Sequence, residues 1–561
     1  MRLRRVLASV VAVATALTLT ACAGMPMSGE VRAGRDSSVV DESVDIAFQP
    51  AGPQKDATPQ QIVEGFIAAA TSPENDWETA KLFLSPAMRE KWVPTAGVTV
   101  DELVDRQWDV AGDASITLTV SPEAEVDERG AYTESDAGPL KLPFELAEQA
   151  DGQWRITSAT DGIVLDRDLF ARVFRPYSLM FFDPSWNYLV PDLRWFPTRT
   201  NTAFRIVQEL IDGTPSPWLA GAAVTAFPDE MNAPGSVPVT EDGVARVEVP
   251  AMALALPAVQ LERMQAQLDA SLASANVTDA VMSIGSVDID ATPVEVRSTR
   301  IDARPAVLTK DGFGFLASSE LQPIPGISKG MAQVSPLDIA LGVNRDVAAL
   351  RLRTGEVVRM VDDGTYGVID SRAGLIAPTI DPFDYVWSVP AAKPGGLVAF
   401  ASDGSSKNIG DAWAGAVRIT SMQISRDGTR MVALVDTGGR AEAWIAGVIR
   451  DRGAPVRLGQ AVRLAALPGS GVDVAWLDDD TVGIVSAVGT QTVVLSQQIG
   501  GLRTTTTPTT TARVVSISGG SQFTSVRLRA EDDTMYLKSG TRWQQTATGI
   551  LVLATQQGSP Q

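Results

Sequence analysis

Apolar residues along this chain follow two periods, and the places where each holds divide it into regions. Between residues 58 and 298, helical spacing and strict alternation succeed one another; beyond residue 299 only short alternating runs remain. Thr58-Pro59 with Gln61 is a helix start, with a capping hydroxyl, a proline at the first helical position and a reciprocal glutamine three residues on. Ile62, Phe66, Ile67 and Ala70 then make one apolar stripe, and Ser85-Pro86 opens a second short helix leading to Trp92. After residue 110 the period drops to two. Ile116, Leu118 and Val120 alternate with threonines, Leu140, Leu142, Phe144 and Leu146 alternate with polar residues, and Trp154-Arg155-Ile156 continues the trend. Helices followed by an antiparallel sheet predict a small α+β domain over residues 58–185.

A second α+β unit is predicted over residues 186–298. Tyr188-Leu189-Val190 leads to Trp195-Phe196-Pro197, and a helix over 202–212 places Phe204, Val207, Leu210 and Ile211 on one side before Gly213-Thr214-Pro215 stops it. Strands are predicted at 222–226 and 244–249. A longer helix over 259–275 carries Leu261, Met264, Leu268 and Leu272, and a last strand runs through Val281, Ile284, Val287 and Ile289. Asp288 and Asp290 share one face of that strand, which reads as a solvated edge rather than an acid pair.

From residue 299 to 561 the reading is all-β, and helical patterning is not expected again. Asp311-Gly312, Asp363-Gly364, Asp403-Gly404 and Asp427-Gly428 mark tight turns. Residues 424–434 read as strand, turn, strand, and 378–387 and 474–482 look like diverged copies. Taking Asp381, Asp427 and Asp479 as equivalent gives spacings of 46 and 52 residues. That is the range of β-propeller blades, and the length of the region then predicts about six. The threonine run at 504–511, broken by Pro508, reads as a surface loop between late blades.

The first residues follow neither period. Arg2, Arg4 and Arg5 precede a charge-free run from Val6 to Leu19, shorter than the roughly 20 residues of a membrane span. Leu19-Thr20-Ala21-Cys22 fits the pattern of a bacterial lipobox: cleavage between Ala21 and Cys22 leaves a cysteine that takes a diacylglyceryl group on sulfur and an acyl chain on its amine. Residues 1–21 are therefore read as a lipoprotein signal peptide. Residues 22–57, rich in scattered glycine and proline, are read as a tether reaching about 30–35 Å from the bilayer. Two or more acyl chains suffice for stable attachment to the extracytoplasmic face of the cell membrane.

Charge and missing residue types narrow the chemistry. The formal charge is −20, and losing Arg2, Arg4 and Arg5 takes it to −23, which argues against nucleic-acid binding and against anchoring by anionic headgroups. Cys22 is the only cysteine, so the exported part has no disulfide, and the chain has no histidine. Histidine-dependent triads, His-ligated zinc and imidazole acid–base catalysis are thereby excluded. Gly326-Ile327-Ser328-Lys329-Gly330 matches a hydrolase elbow in letters only, for want of a histidine. Gly312 to Ala317 matches a dinucleotide fingerprint but reads as a turn into a strand, and the Asp478–Asp480 run lacks calcium-loop spacing. No catalytic residue, metal site or cofactor is predicted, and Cys22 is the one defined chemical site.

The order of these parts carries a resemblance. The first domain resembles the NTF2-like cones of exported proteins. The second, with Leu210 to Ser216 and Phe227-Pro228-Asp229, resembles the GerMN domain of sporulation and wall-associated proteins. Lipobox, NTF2-like region, GerMN domain and degenerate propeller together resemble the LpqB lipoproteins of actinobacteria over the whole chain, including Met25-Pro26-Met27-Ser28-Gly29. The resemblance implies a non-enzymatic accessory that contacts the extracytoplasmic domain of the sensor kinase MtrB, within the MtrA–MtrB system of envelope homeostasis and division. Two other readings stand beside it: a receptor for cell-wall glycan or another ligand, marked by an aromatic-lined pocket, and a glycan hydrolase, marked by paired carboxyls about 5–9.5 Å apart.

Overall fold

The first helix starts where the capping residues place it. Thr58 Oγ1 accepts from the Gln61 N–H and the Gln61 side chain accepts from the Thr58 N–H, closing a capping box on Pro59–Ala69. Ile62, Val63, Phe66 and Ile67 of this helix are buried against two four-stranded sheets. In one sheet Ser115–Val120 pairs with Gln107–Val110 and Leu140–Glu148, and Trp154–Ser158 flanks the latter; in the other Gly97–Asp101 lies between Pro122–Asp127 and Ile163–Asp166. The computed structural model describes residues 50–112, 114–135, 137–198, 201–508, 512–520, 525–540 and 542–560. Residues 1–49, with the expected signal peptide, Cys22 and most of the expected tether, lie outside the described residues.

The last part of the expected tether is docked instead. The Asp56 N–H donates to Gln153 Oε1 at 2.8 Å, Gln153 Nε2 donates back to Asp56 Oδ1 at 3.1 Å, and Ala57 packs against the first core. Polar composition made this stretch look like linker, but a long-range side-chain pair fixes it.

The second core begins earlier than residue 186. Phe174–Phe182 pairs along its whole length with Leu189–Pro197, so residues 174–185 belong with the hairpin that follows. Behind the hairpin lie the helices Thr202–Ile211 and Ala258–Ala273 and a sheet in which Val244–Glu248 runs parallel to Asp279–Ile284. The predicted strand at 222–226 is absent as such: only isolated bridges form there, Phe182 with Val224 and Ala220 with Ala223. Its apolar residues are buried by packing rather than by a ladder.

Among the described residues the remainder folds as six sheets of mostly antiparallel strands. Five start from Pro336–Leu341, Thr379–Ile380, Arg418–Ile424, Ser470–Trp476 and Val514–Ser518, and a further one from Ala306–Thr309. Val552–Leu553 pairs with Ala306–Thr309, and Thr555–Gln556 pairs with Pro336–Leu341, so the chain end enters both the first and second sheets. The leading strands of the second to sixth sheets touch one another in order, and Val552–Leu553 touches those of the sixth, first and second. In four leading strands the register slips by one residue at the same place, leaving Asp338, Ser421, Asp473 and Ser516 each just past a bulge.

Two expectations for this region need correction. Helix does return, as Ile327–Met331, a turn too short for periodicity to register. It is set by Gly326, whose φ of +78° and backbone approach leave no room for a side chain: a Cβ there would stand 1.4 Å from the Asp362 carbonyl oxygen. The threonine run is not wholly loop, because Arg503–Pro508 is a strand paired with Gln491–Gln498, as suits β-branched residues; 509–511 lie outside the described residues.

Candidate functional site

The turns after the leading strands hold several buried charges, Asp381, Arg426 and Asp427 among them. Asp381 accepts from the backbone N–H groups of Phe383 and Tyr385 at 2.9 Å, from Trp387 Nε1 at 3.0 Å and from Arg450 Nη2 at 2.6 Å. Asp427 accepts from Ser425 Oγ, from the Thr429 N–H and from the guanidinium of Arg430, itself stacked over Trp476. Burial alone would raise the Asp427 carboxyl, but Arg430 and the donors of Thr429 and Ser425 outweigh it and hold it below the usual carboxylate range. The third copy is Asp478 rather than Asp479. Its Oδ1 accepts from the N–H groups of Asp480 and Thr481, whereas Asp479 is exposed. The turn is counted back from the strand it enters, and Asp478 and Asp427 both stand three residues ahead of theirs. A threonine occupies the position of Arg430 here, so burial and Asp480 push Asp478 up to about 7.

The leading strands carry the next set of carboxylates. Asp473 accepts from Ser421 Oγ at 2.8 Å and from the Ile517 N–H at 2.9 Å, linking three successive sheets, and burial pushes it up to about 6. Asp338 is paired with Arg351 Nε at 2.6 Å. Arg426 closes the space between these strands by donating to the carbonyls of Trp476 and Gly520, and Gln557 donates to the Ser425 carbonyl. Only about 20 Å³ remains there. Among the described residues no group of three or more acidic or cysteine side chains is placed to hold a metal ion.

Ser328, from the elbow-like motif, is committed to the fold: its Oγ donates to the Phe313 carbonyl and accepts from the Ile324 N–H, both at 2.7 Å. Gly312–Ala317 is a strand, as the alternation of its phenylalanines predicts. Asp288 is ion-paired with Arg246 on an exposed edge.

A cavity of about 570 Å³ lies in the first domain. Phe66 and Ile67 of the first helix, Val98, Leu142, Phe144 and Ile163 form its apolar wall, while Glu125, Asp127, Lys141 and Asp161 stand at its polar side. Two of those acids have local partners: Asp127 Oδ1 accepts from the N–H groups of Arg129 and Ala131, and Asp161 Oδ1 from the Val93 N–H. Leu140, expected in the core by alternation, is more than one-third exposed because it lines this cavity.

One feature that sequence reasoning missed ties the regions together. On the Leu189–Pro197 strand, Asp192 and Arg194 are both 2% exposed and paired at 2.8 Å. Arg194 also donates to the carbonyls of Arg129, in the first domain, and Thr214; Asp192 accepts from the N–H and Oγ of Ser216. The neighbouring Trp195 takes its N–H to the Gly500 carbonyl, in the fifth sheet, at 2.9 Å. Further along, Tyr188 meets Phe383 edge to face, and a Cβ on Gly447 would come within 2.9 Å of the Trp218 carbonyl oxygen. The described residues, from 50 onward, form one compact unit.

Comparison with known proteins agrees with this organisation. Residues 52–171 match the model of the lipoprotein LpqB N-terminal domain, and residues 311–552 match that of the lipoprotein LpqB β-propeller domain. A lipoprotein LpqB of Rhodococcus jostii is 25% identical, with 92% of this chain and 91% of that protein covered. One of Cutibacterium acnes is 29% identical over 46% of this chain and 42% of that protein. A chain of a nidogen/laminin complex aligns at a TM-score of 0.32 with 9% identity, over 45% of this chain and 96% of that one, too low to carry an argument. Two LpqB domain models in order, and a relative aligned over 92% of the chain, show that the chain belongs to the LpqB lipoprotein family.

Proposed function

We propose that this chain is a lipid-anchored extracytoplasmic protein that works by contact, as an accessory of a sensor histidine kinase of the MtrA–MtrB type in envelope homeostasis and division. The observation that supports this most is the seam through Asp192, Arg194 and Trp195, which locks the parts into one body. Such a body presents fixed surfaces to a partner. In the same reading the first domain is an NTF2-like cone, the second a GerMN-like domain, and the six sheets are six propeller blades joined by the returning chain end. Cys22 is the anchor, acylated after cleavage behind Ala21. Among the described residues no helix is long and apolar enough to cross a membrane.

The experiment is co-purification of full-length protein with the kinase from membranes, beside a Cys22→Ala variant. Retention of the kinase supports the reading, and release of Cys22→Ala from the membrane fraction supports the anchor. A chain that stays in the membrane without Cys22, or that never retains the kinase, contradicts it. A second reading, a ligand receptor, is favoured by the cavity of about 570 Å³ with Phe66 and Phe144 in its wall. It is checked by measuring whether mutating Phe144→Asp abolishes retention of small apolar molecules.

A further inference from the structure

The second domain carries an apolar ridge that nothing described so far uses. From Pro250 to Val259 the chain reads Pro-Ala-Met-Ala-Leu-Ala-Leu-Pro-Ala-Val, ten residues with no polar side chain in a protein where 20% of residues are charged. Burial explains only part of it. Ala253 is buried, but Leu254 is 74% exposed, Val259 45% and Met252 36%. The ridge is ordered rather than loose: Ala251–Ala255 is a 3-10 turn in which the Ala253 N–H reaches the Pro250 carbonyl and the Leu256 N–H reaches that of Ala253. An ordered apolar surface costs little conformational entropy when it is covered.

Charge around the ridge is acidic. Glu248 precedes it and Glu262 follows one helical turn after Val259; Asp229 and Glu230 lie just beyond Ala226, whose carbonyl Gln260 reaches at 3.1 Å. The arginines flanking the ridge in sequence are already engaged, Arg263 over the Trp186 ring at 4.2 Å and Arg246 on Asp288. An apolar centre with a charged rim is the anatomy of a protein interface. A bilayer surface fits worse, because acidic flanks are repelled by anionic headgroups and the ridge lacks the basic and aromatic residues of interfacial segments.

We propose that residues 250–259 are the docking ridge for the partner protein, whose complementary surface is an apolar hollow with a basic rim. The inference rests on the contact function proposed above and names the surface that performs it.

The test titrates full-length lipidated protein in nanodiscs with the extracytoplasmic domain of the kinase. Leu254→Asp is expected to weaken binding about tenfold or more, as for a central interface residue. Glu248→Lys should weaken it a few-fold and reduce its salt dependence. Val456→Asp, at a site 49% exposed on the fourth sheet, should leave it unchanged. Binding by wild type that Leu254→Asp does not weaken overturns the ridge but not the contact function. Absence of wild-type binding defeats the choice of partner, and photo-crosslinking from position 254 in intact cells then decides. An adduct on an apolar peptide flanked by lysine or arginine, lost in Glu248→Lys, supports the ridge. An adduct on lipid, or none, overturns it.

Discussion

Two surfaces of the second domain, the seam on Leu189–Pro197 and the ridge at 250–259, handle exposure in opposite ways. The seam buries a full ion pair, yet every contact there is answered: Arg194 by Asp192 and two carbonyls, Asp192 by Ser216 as well, Trp195 by Gly500. The ridge leaves Leu254 and Val259 in solvent with nothing polar to satisfy. A buried charge pair is poor evidence for stability in itself, but it fixes geometry, because any other arrangement strands a charge. An exposed apolar ridge contributes nothing to folding and gains only when something covers it. The difference separates what holds the body together from what it offers outward.

The contrast can be broken at the seam first. Arg194→Ala leaves Asp192 buried without its cation and should destabilise the fold by about 3–5 kcal/mol, read as a lower denaturation midpoint. A change of under 1 kcal/mol would mean the pair is not the joint. Trp195→Phe removes the N–H to Gly500 together with part of a buried ring packed on Phe170, and should cost about 1–3 kcal/mol. Thr58→Ala, which opens the capping box, should cost about 1 kcal/mol and leave the seam intact. Leu254→Asp should shift stability by less than about 0.5 kcal/mol, since it alters a surface the fold does not use. A large loss there would make the ridge structural.

The turn aspartates sharpen the comparison through pH. Asp478 is raised to about 7 in the folded protein while its unfolded value stays near 3.8, so the folded form holds a proton that the unfolded form has lost. Stability from this group therefore falls as pH rises between about 4 and 7. Measured against Asp478→Asn, wild type should lose thermal midpoint across that window and run parallel above it. Asp427, held down by Arg430, gives the reverse sign: its contribution is present above the ordinary carboxylate value and fades as pH falls below it. Parallel curves for wild type and Asp478→Asn from pH 4 to 7 would contradict the assignment.

Local signals in the sequence proved reliable, and distant ones were invisible. Thr58, Gln61 and Ser85 cap the helices they announce because partner and donor lie three residues apart. Alternation found Ile116, Leu118 and Val120, all buried, but could not tell that Leu140 faces a cavity. Asp192 and Arg194 were legible only as strand residues, since Arg129 and Thr214 reach Arg194 from 65 and 20 positions away and Gly500 reaches the neighbouring Trp195 from 305. The repeat was visible through its turn aspartates. Its register slipped to Asp479 because three consecutive aspartates look alike until the following strand fixes the count. The bulges before Asp338, Ser421, Asp473 and Ser516 leave no spacing signature in a single chain.

The most direct measurement of the central claim is kinase autophosphorylation in vesicles that hold the sensor with or without the lipidated chain. If the body acts by contact, wild type changes the rate, Arg194→Ala and Leu254→Asp both abolish the change, and Val456→Asp does not. An unchanged rate at saturating wild-type protein would contradict the account.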